Sequence, residues 1–216
     1  MILALLLLLA YMIGSLPTAY LVGRLKGIDV RKVGSGNMGA TNIYRTLGAW
    51  PAVVVLAADA GKGAIAATVL PRLVGSLEPT SWGFLLGLVA MLGHSRPVFL
   101  GFKSGGKGVA TAGGIFAALA PAAFFAGLAG FVVTVALTRY VSLGSLVAAT
   151  ILPIATATTH GVRSVAFVAA LAVAVFVYWS HRSNIARLRR GEERRLGRPG
   201  GGSGEGATRE AREAPR

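Results

Sequence analysis

Residues 122–138, AAFFAGLAGFVVTVALT, and residues 141–159, VSLGSLVAATILPIATATT, are two apolar runs that only Arg139 and Tyr140 separate. Neither run contains a charged residue. A helix needs about 20 apolar residues to cross the hydrocarbon core of a bilayer. Two runs of nearly that length, joined by two residues, predict a hairpin of transmembrane helices.

Five further apolar runs lie on either side of this hairpin. The seven predicted spans are Ile2–Val22, Pro51–Leu70, Ser81–Leu92, Val109–Ala120, Ala122–Thr138, Val141–Thr159 and Val165–Trp179. Of the 216 residues, 54% are hydrophobic and 14% are charged, which is too apolar for a water-soluble domain of this size. We therefore predict an all-α, polytopic integral membrane protein. Because the third and fourth spans are short, five crossings with re-entrant segments are the alternative.

The basic residues are distributed unevenly between the loops that join these spans. With the N-terminus outside, the cytoplasmic segments hold Arg24, Lys26, Arg31, Lys32, Arg45, Arg96, Lys103, Lys107, Arg139 and the chain from Arg182 onward. Only Arg72 and Arg163 then lie outside. Lys and Arg collect on the cytoplasmic side of membrane proteins, so we predict an outer N-terminus and a cytoplasmic C-terminus. The net charge of +14 thus has an explanation that requires no nucleic acid.

The composition changes after Gly191, where Arg, Glu and Gly replace apolar residues. We predict a transmembrane domain over residues 1–190 and a disordered, charged, glycine-rich cytoplasmic tail over residues 191–216. The first run lacks a basic n-region and a cleavage site, so we expect a retained helix and not a signal peptide. The chain has no cysteine, which excludes disulfides, thiolate metal sites and a cysteine nucleophile.

The first predicted cytoplasmic loop contains GSGNMGATN, residues 34–42, with Arg45 just beyond it. Glycines let the backbone approach a ligand closely, and successive backbone N–H groups can form a concave anion site. The Ser, Asn and Thr side chains add neutral donors, and Arg45 adds positive charge. We interpret this loop as a phosphate site, although the same residue types also mark ordinary turns.

The second predicted loop contains GHSRP, residues 93–97, and GFKSGGKGVAT, residues 101–111. The run GFKSGGK has the spacing G-x-x-x-x-G-K, but Gly108 follows where a nucleotide-binding loop has Ser or Thr. An apolar span also precedes it in place of a strand, so we exclude a nucleotide-hydrolysing P-loop fold. A glycine loop that leads into a helix N-terminus still suits a phosphate, with Lys107 beside it and Thr111 in the first turn.

The third cluster, HRSNI at residues 181–185, directly follows the last predicted span. On a helix that continues through it, His181 and Asn184 lie on one face and can point into the site. Asp59 and Lys62 lie three residues apart within the second span. Ionisable groups are costly at membrane depth, so this pair has either a functional role or a structural one as a salt bridge.

These segments resemble the bacterial PlsY family of acyl-phosphate:glycerol-3-phosphate acyltransferases. The matching pieces are GSGNMGATN with Arg45, DAGKG at residues 59–63, GHSRPVFLGFKSGGKGVAT at residues 93–111, and HRSNIARLRRGEE at residues 181–193. They occur in the family's order on a seven-span pattern. Met38 stands where the family usually has Pro, and Ser104 is an addition to its usual F-K-G-G-K-G run.

The resemblance implies a multi-pass enzyme of the bacterial cytoplasmic membrane whose active site faces the cytoplasm. Such an enzyme moves a fatty acyl group from acyl phosphate to the 1-hydroxyl of glycerol 3-phosphate, giving lysophosphatidic acid and phosphate in the first step of phospholipid synthesis. The expected partners are glycerol 3-phosphate, fatty acyl phosphate and membrane lipid, with no metal and no organic cofactor.

Combining the clusters with this resemblance yields one set of candidate site residues. The predicted substrate-binding residues are Ser35, Gly36, Asn37, Gly39, Thr41, Asn42, Arg45, Gly105, Gly106, Lys107, Gly108, Thr111, Ser142, His181 and Asn184. The catalytic candidates among them are Lys107, His181 and Ser35. Either glycine loop can hold either substrate phosphate.

The role of His181 has two alternatives. The intrinsic chemistry of imidazole suits a general base, whereas the resemblance favours a phosphate ligand, with substrate phosphate helping to accept the proton. No histidine is followed by Asp at the His-x-x-x-x-Asp spacing of another acyltransferase class. The alternative function is a transporter for phosphate or phosphorylated metabolites, although transporters more often hold their polar groups near the bilayer midplane.

Overall fold

The computed structural model describes residues 2–74, 78–103 and 105–197, and every regular element within those ranges is helical. The α-helices are α1 (Ile2–Gly14), α2 (Thr18–Leu25), α3 (Ala40–Leu47), α4 (Ala49–Thr68), α5 (Pro79–Ser95), α6 (Val109–Leu119), α7 (Pro121–Thr138), α8 (Val141–His160), α9 (Val165–Ser180) and α10 (Arg182–Arg189). Short 3-10 turns follow α4 and α5. Ser104 and most of the predicted tail, residues 198–216, lie outside the described ranges, so the expectations for them stay predictions.

Each of the seven predicted spans contains a helix. Five stretches are long and apolar enough to cross a bilayer, namely Ile2–Leu25, Ala49–Leu73, Pro79–Leu100, Pro121–Thr138 and Val141–His160. A sixth candidate combines α9 and α10, which are bent by 59°. The remaining predicted span is α6, which has only 11 residues. The apolar helices indicate a membrane protein, while the count of seven crossings and the orientation of the termini stay predictions.

The span predicted as Ile2–Val22 is not one continuous helix. It breaks at Ser15–Pro17 between α1 and α2. Proline has no N–H and forces the preceding residue out of the α region. Leu16 lies between the two helices, and its carbonyl oxygen accepts hydrogen bonds from the Thr18 N–H at 3.0 Å and from Lys62 Nζ of α4 at 3.2 Å. The break was missed because the apolar run continues through it.

The predicted hairpin of α7 and α8 is formed, and these two helices pack along their length. Helix α4 packs against α6, and α5 packs against α1 and α4. A Cβ on Gly114 of α6 would lie 1.9 Å from the Ala60 carbonyl oxygen of α4. Small residues thus let these backbones approach closely, as is usual for helices packed in a membrane.

One end of the bundle gathers the predicted polar clusters, and we call this end the site face. It contains the loops that precede α3, α6 and α8 and the chain that follows α9. Hydrogen bonds across this face join α3 to the chain after α10 and join the loop before α6 to α10. The fold therefore brings distant polar segments together, while the exposed side chains of α7, including Phe125 and Val133, stay apolar as lipid contact requires.

Candidate active site

Lys107 lies in the turn that leads into α6, and it joins the second polar cluster to the third. Gly108, at φ 78°, has the left-handed conformation that glycine adopts readily and directly precedes the helix. Lys107 Nζ donates a hydrogen bond to Asn184 Oδ1 of α10, and its carbonyl oxygen accepts one from Ser180 Oγ at 3.3 Å. Burial lowers the pKa of Lys107 to about 8, because desolvation disfavours the charged form.

His181 is buried at the end of α9, with 3% of its surface exposed. Its Nδ1 lies 2.8 Å from the Val177 carbonyl oxygen. Because a carbonyl can only accept, Nδ1 carries the proton, and Nε2 of the neutral ring is an acceptor. Burial and the Lys107 charge lower the pKa of His181 to about 4. The ring is therefore neutral at pH 7 and can accept a hydrogen bond from a hydroxyl group.

The expectation of one helix through His181 and Asn184 is wrong, since α9 and α10 meet at an angle of 59°. The His181 ring and the Arg182 guanidinium donate to the Val177 and Trp179 carbonyl oxygens in the last turn of α9. These side-chain donors add to the His181 N–H, which itself donates to the Val177 carbonyl oxygen at 2.9 Å, and α9 ends at this turn. Both predicted residues are nevertheless buried in the site face, with His181 3% and Asn184 6% exposed.

Glu193 belongs to the site, although it is not among the residues predicted from the sequence. Its carboxylate is 5% exposed and accepts hydrogen bonds from Asn184 Nδ2 at 2.6 Å and Arg187 Nε at 2.8 Å. Burial alone would raise the pKa of Glu193, but these donors more than offset it, so the pKa is lowered and the carboxylate stays charged. The available signal was the acidic end of HRSNIARLRRGEE, residues 181–193.

The chain after α10 folds back over the site face, and we call its residues Gly191–Gly197 the strap. Arg45 Nη2 of α3 donates to the Arg194 carbonyl oxygen at 3.0 Å. Farther along, the Leu196 N–H donates to the Arg139 carbonyl oxygen at 2.7 Å, in the turn between α7 and α8. The strap thus ties together three parts of the fold and holds Arg45 at the edge of the site.

The GSGNMGATN loop is shaped by Asn42, which is 1% exposed. Its Oδ1 accepts from the Ser35 N–H at 2.8 Å, and its Nδ2 donates to the Val30 and Val33 carbonyl oxygens at 3.1 and 3.2 Å. Asn42 therefore holds the loop in shape from within. Its predicted contact with substrate stays a prediction.

The rest of this first loop approaches the second loop at one point. Within the described ranges, the side chains of Ser35, Asn37 and Thr41 make no hydrogen bond to the second or third cluster. Met38, which is buried, instead lines a small cavity together with Gly106 of the second loop. The two glycine loops are thus neighbours, while Lys107, Asn184 and His181 form the more closely connected part of the site.

Several buried hydroxyl groups in this region are candidate ligand contacts. Within the described part of the chain, the buried side-chain hydroxyls without a hydrogen-bond partner are those of Ser15, Ser95, Thr111 and Ser142. Thr111 lies in the first turn of α6. Ser142 lies close enough to Glu193 to help lower the pKa of that carboxyl, yet it makes no hydrogen bond of ordinary geometry. An unpaired buried hydroxyl is costly, so a ligand that supplies the missing partner binds favourably.

The groups that converge on the site face suit an anionic ligand with a reactive hydroxyl. Lys107, Arg45 and Arg187 supply positive charge, and the N-terminus of α6 adds backbone N–H groups. His181 presents a neutral acceptor. This combination can bind a phosphate group and position a hydroxyl beside it.

Comparison with known proteins identifies the family. The sequence profile described as glycerol-3-phosphate acyltransferase matches residues 4–191. The chain belongs to the glycerol-3-phosphate acyltransferase family. A relative of that name from Geobacter sulfurreducens is 46% identical over 187 residues, which are 87% of this chain and 94% of the relative. Another from a Synechococcus species is 49% identical over 199 residues, 91% of this chain and 96% of the relative.

Solved structures of glycerol-3-phosphate acyltransferases share the fold. A crystal structure of PlsY, an integral membrane glycerol 3-phosphate acyltransferase, in its glycerol 3-phosphate form has a TM-score of 0.82 and is 36% identical. The match covers 90% of this chain and 95% of that one. The lysophosphatidic acid form matches with a TM-score of 0.80. The resemblance to the PlsY family is thereby confirmed, as is the all-helical membrane fold.

Proposed function

We propose that this chain transfers a fatty acyl group from acyl phosphate to the 1-hydroxyl of glycerol 3-phosphate. The products are lysophosphatidic acid and inorganic phosphate. The relatives named glycerol-3-phosphate acyltransferase, and the PlsY structures in glycerol 3-phosphate and lysophosphatidic acid forms, support this substrate and product. The observation that carries the proposal is the contact between Lys107, at the N-terminus of α6, and Asn184 of α10, beside a neutral His181.

In the proposed reaction, the hydroxyl oxygen attacks the acyl carbonyl carbon directly. The bond from that carbon to the phosphate oxygen breaks, and the electron pair leaves with the phosphate. The hydroxyl proton passes to the departing phosphate, either directly or through His181 Nε2. No enzyme nucleophile is needed, because an acyl phosphate is an activated mixed anhydride that already carries a good leaving group.

The protein's contribution is to hold and neutralise the reacting groups. Lys107 and the N–H groups of the Gly105–Thr111 segment stabilise the charge on the phosphate as the bond breaks. Arg45, Ser142 and Asn184 position glycerol 3-phosphate so that its hydroxyl and the carbonyl carbon stay in contact. Ser35 and the first glycine loop complete the phosphate site.

We place the enzyme in the bacterial cytoplasmic membrane, with the site face toward the cytoplasm. The distribution of Lys and Arg supports this orientation, because the basic loops lie on that face. Acyl phosphate can then enter with its chain between the helices and its phosphate at the membrane surface. Glycerol 3-phosphate arrives from the cytoplasm.

A comparison of acyl donors tests the proposed function. The purified protein in lipid receives labelled glycerol 3-phosphate with either palmitoyl phosphate or palmitoyl-CoA. We expect labelled lysophosphatidic acid from palmitoyl phosphate only. Product from palmitoyl-CoA alone would overturn the proposed donor. No product from either donor in folded protein would overturn the enzyme and favour a transporter of phosphorylated metabolites.

A further inference from the structure

A buried group of polar side chains lies between α4 and α5, outside the proposed reaction site. Asp59 and Lys62 of α4 form an ion pair of 2.8 Å, with side chains 3% and 5% exposed. His94 Nδ1 of α5 lies 3.6 Å from Asp59 Oδ1. Lys62 Nζ also donates to the Leu16 carbonyl oxygen at the break between α1 and α2. Three segments of the bundle thus meet at one pair of charges.

His94 connects the Asp59–Lys62 ion pair to the second glycine loop. The Gly106 N–H donates to the His94 carbonyl oxygen at 3.1 Å. A Cβ on Gly106 would lie 1.9 Å from His94 Nε2, so the loop backbone lies directly on the imidazole ring. Gly105 lies against the backbone at the end of α5, since a Cβ on Gly105 would lie 2.2 Å from the Ser95 carbonyl oxygen. The end of α5 therefore forms the surface on which the loop before Lys107 is placed.

The same group reaches the first glycine loop as well. Asp59, Lys62 and His94 line a cavity of about 10 Å³ together with Met38 and Gly106. A space of that size holds about one water molecule. Both glycine loops thus rest on one small buried centre, with Met38 contributed by the first loop and Gly106 by the second.

We propose that Asp59, Lys62 and His94 form a positioning network that fixes the Gly105–Gly108 loop in the conformation that binds phosphate. None of the three has to touch substrate. The ion pair with Lys62 fixes the Asp59 carboxylate beside the His94 ring. The ring in turn supports the loop backbone from which Lys107 and the N-terminus of α6 present their charges. The identity of the ligand as a phosphate rests on the proposed function. The three residues of the network affect how tightly that phosphate binds.

A purely structural role explains this arrangement less well. A buried ion pair stabilises a fold little compared with apolar residues of similar volume, because desolvation offsets the attraction. What apolar residues cannot do is hold the imidazole ring in one orientation against a glycine backbone. A contact of this kind matters for positioning, since small displacements of binding groups weaken their effect strongly.

Replacements of Asp59, Lys62 and His94 distinguish a role in positioning the loop from a role in stabilising the fold. The double variant Asp59→Leu with Lys62→Met removes both charges and leaves neither unpaired, while His94→Ala removes the support and His94→Gln keeps a polar group of similar reach. Thr156→Val is the control, because Thr156 is fully buried and bonds only within its own helix, at 3.0 Å to the Leu152 carbonyl oxygen. Each variant is purified in lipid, and its melting temperature is recorded.

The deciding measurements are the inhibition constant of inorganic phosphate, the KM for each substrate, and kcat. We expect the double variant and His94→Ala to raise the phosphate inhibition constant and at least one KM about tenfold, with a smaller change in kcat. His94→Gln should recover much of this loss, and Thr156→Val should change neither constant. Lower kcat or melting temperature with unchanged inhibition constant and KM would overturn the proposal.

Two further measurements test the network if the double variant does not fold or if the wild-type protein makes no product. If the double variant does not fold, equal phosphate inhibition constants for His94→Ala and His94→Gln would overturn the network's role. If the wild-type protein makes no lysophosphatidic acid, calorimetric titration with inorganic phosphate still compares the same variants. Weaker phosphate binding by His94→Ala in that titration supports the network independently of the reaction, and unchanged binding contradicts it.

Discussion

Lys107 and Asn184 are 77 residues apart in the chain, and their hydrogen bond joins the loop before α6 to the helix after α9. Burial of the ammonium group brings the pKa of Lys107 down to about 8. The lysine is still mostly protonated at neutral pH, but its charge is lost within an accessible range. The site thus depends on a cation whose charge changes within the pH range of ordinary enzyme assays.

We predict that the affinity for phosphate substrates falls as the pH rises through about 8, because Lys107 loses its proton there. Substrate phosphates are already fully charged in that range, with second pKa values of about 6. The measurement is KM for each substrate from about pH 6.5 to about pH 9.5. A bound phosphate shifts the inflection upward, since it favours the charged lysine. Lys107→Arg should abolish the inflection, because guanidinium stays charged. The same inflection in that variant would contradict the assignment.

The Thr111 hydroxyl is fully buried and has no hydrogen-bond partner within the described ranges. Thr111→Val should leave the melting temperature unchanged or raise it, because no hydrogen bond is lost in the free protein. It should raise KM for a phosphate substrate roughly tenfold, as loss of one bond to a charged group does. Unchanged KM in the valine variant would show that Thr111 does not contact substrate.

The sequence predicts residues of the site where their chemistry is local. Lys107 was predicted because it lies between a glycine run and the start of a helix, and the structure confirms that a helix starts there. His94 was not selected, because its role depends on Asp59 and Gly106, which lie in other segments of the chain. Glu193 was not selected, because the spacing of residues 181–193 does not show that the strap folds back over α10. A carboxylate between Arg187 and Asn184, or a ring beneath a glycine loop, leaves no signature in residue spacing.

At the scale of elements, the strap is the feature that closes the site face. Its Glu193 carboxylate lies buried between α10 and the start of α8, whereas the adjacent Glu192 pairs with Arg190 in solvent, with side chains 55% and 58% exposed. The two neighbouring acids therefore provide a matched comparison. One holds the strap against the fold, and the other does not.

We predict that Glu193→Gln lowers the free energy of unfolding by about 1–2 kcal/mol, since it weakens charge-assisted hydrogen bonds with Arg187 and Asn184. The Arg187 side chain is 36% exposed, which limits the loss. Glu192→Gln should have no measurable effect, as expected for an exposed ion pair. Thermal unfolding of both variants in detergent checks this. Equal stability of the two would show that the strap does not depend on Glu193.

The helices themselves were largely predictable, because a bilayer demands long apolar runs. The hairpin of α7 and α8 follows directly from its two uncharged runs. The bends at Pro17 and His181 were not predicted, since the apolar pattern gives no sign of a break at the first, and the polar residues after the second also fit a helix that continues straight. Both breaks lie where the bundle meets the polar groups of the site face.

At the scale of the whole molecule, the number of crossings depends on α6. Between Lys103 and Arg163 the chain passes through α6, α7 and α8. If all three cross the membrane, these two residues lie on opposite sides. If the 11-residue α6 ends inside the protein, they lie on the same side.

Single cysteines test this directly, because the natural chain has none. We predict that a membrane-impermeant thiol reagent labels Arg163→Cys in intact cells and labels Lys103→Cys only after permeabilisation, in agreement with seven crossings and a cytoplasmic site face. Labelling of both variants from the same side would show that α6 does not cross.

In the proposed reaction, Lys107 acts on the phosphate that leaves the acyl donor. The most direct measurement is lysophosphatidic acid and inorganic phosphate formed from palmitoyl phosphate and glycerol 3-phosphate by the wild type, Lys107→Ala and Lys103→Ala. Lys103 is an exposed lysine in the same loop and serves as the control. We predict equal amounts of the two products in the wild type, a loss of about a hundredfold or more in kcat/KM for Lys107→Ala, and nearly full activity for Lys103→Ala. Equal activity in both lysine variants would contradict the claim.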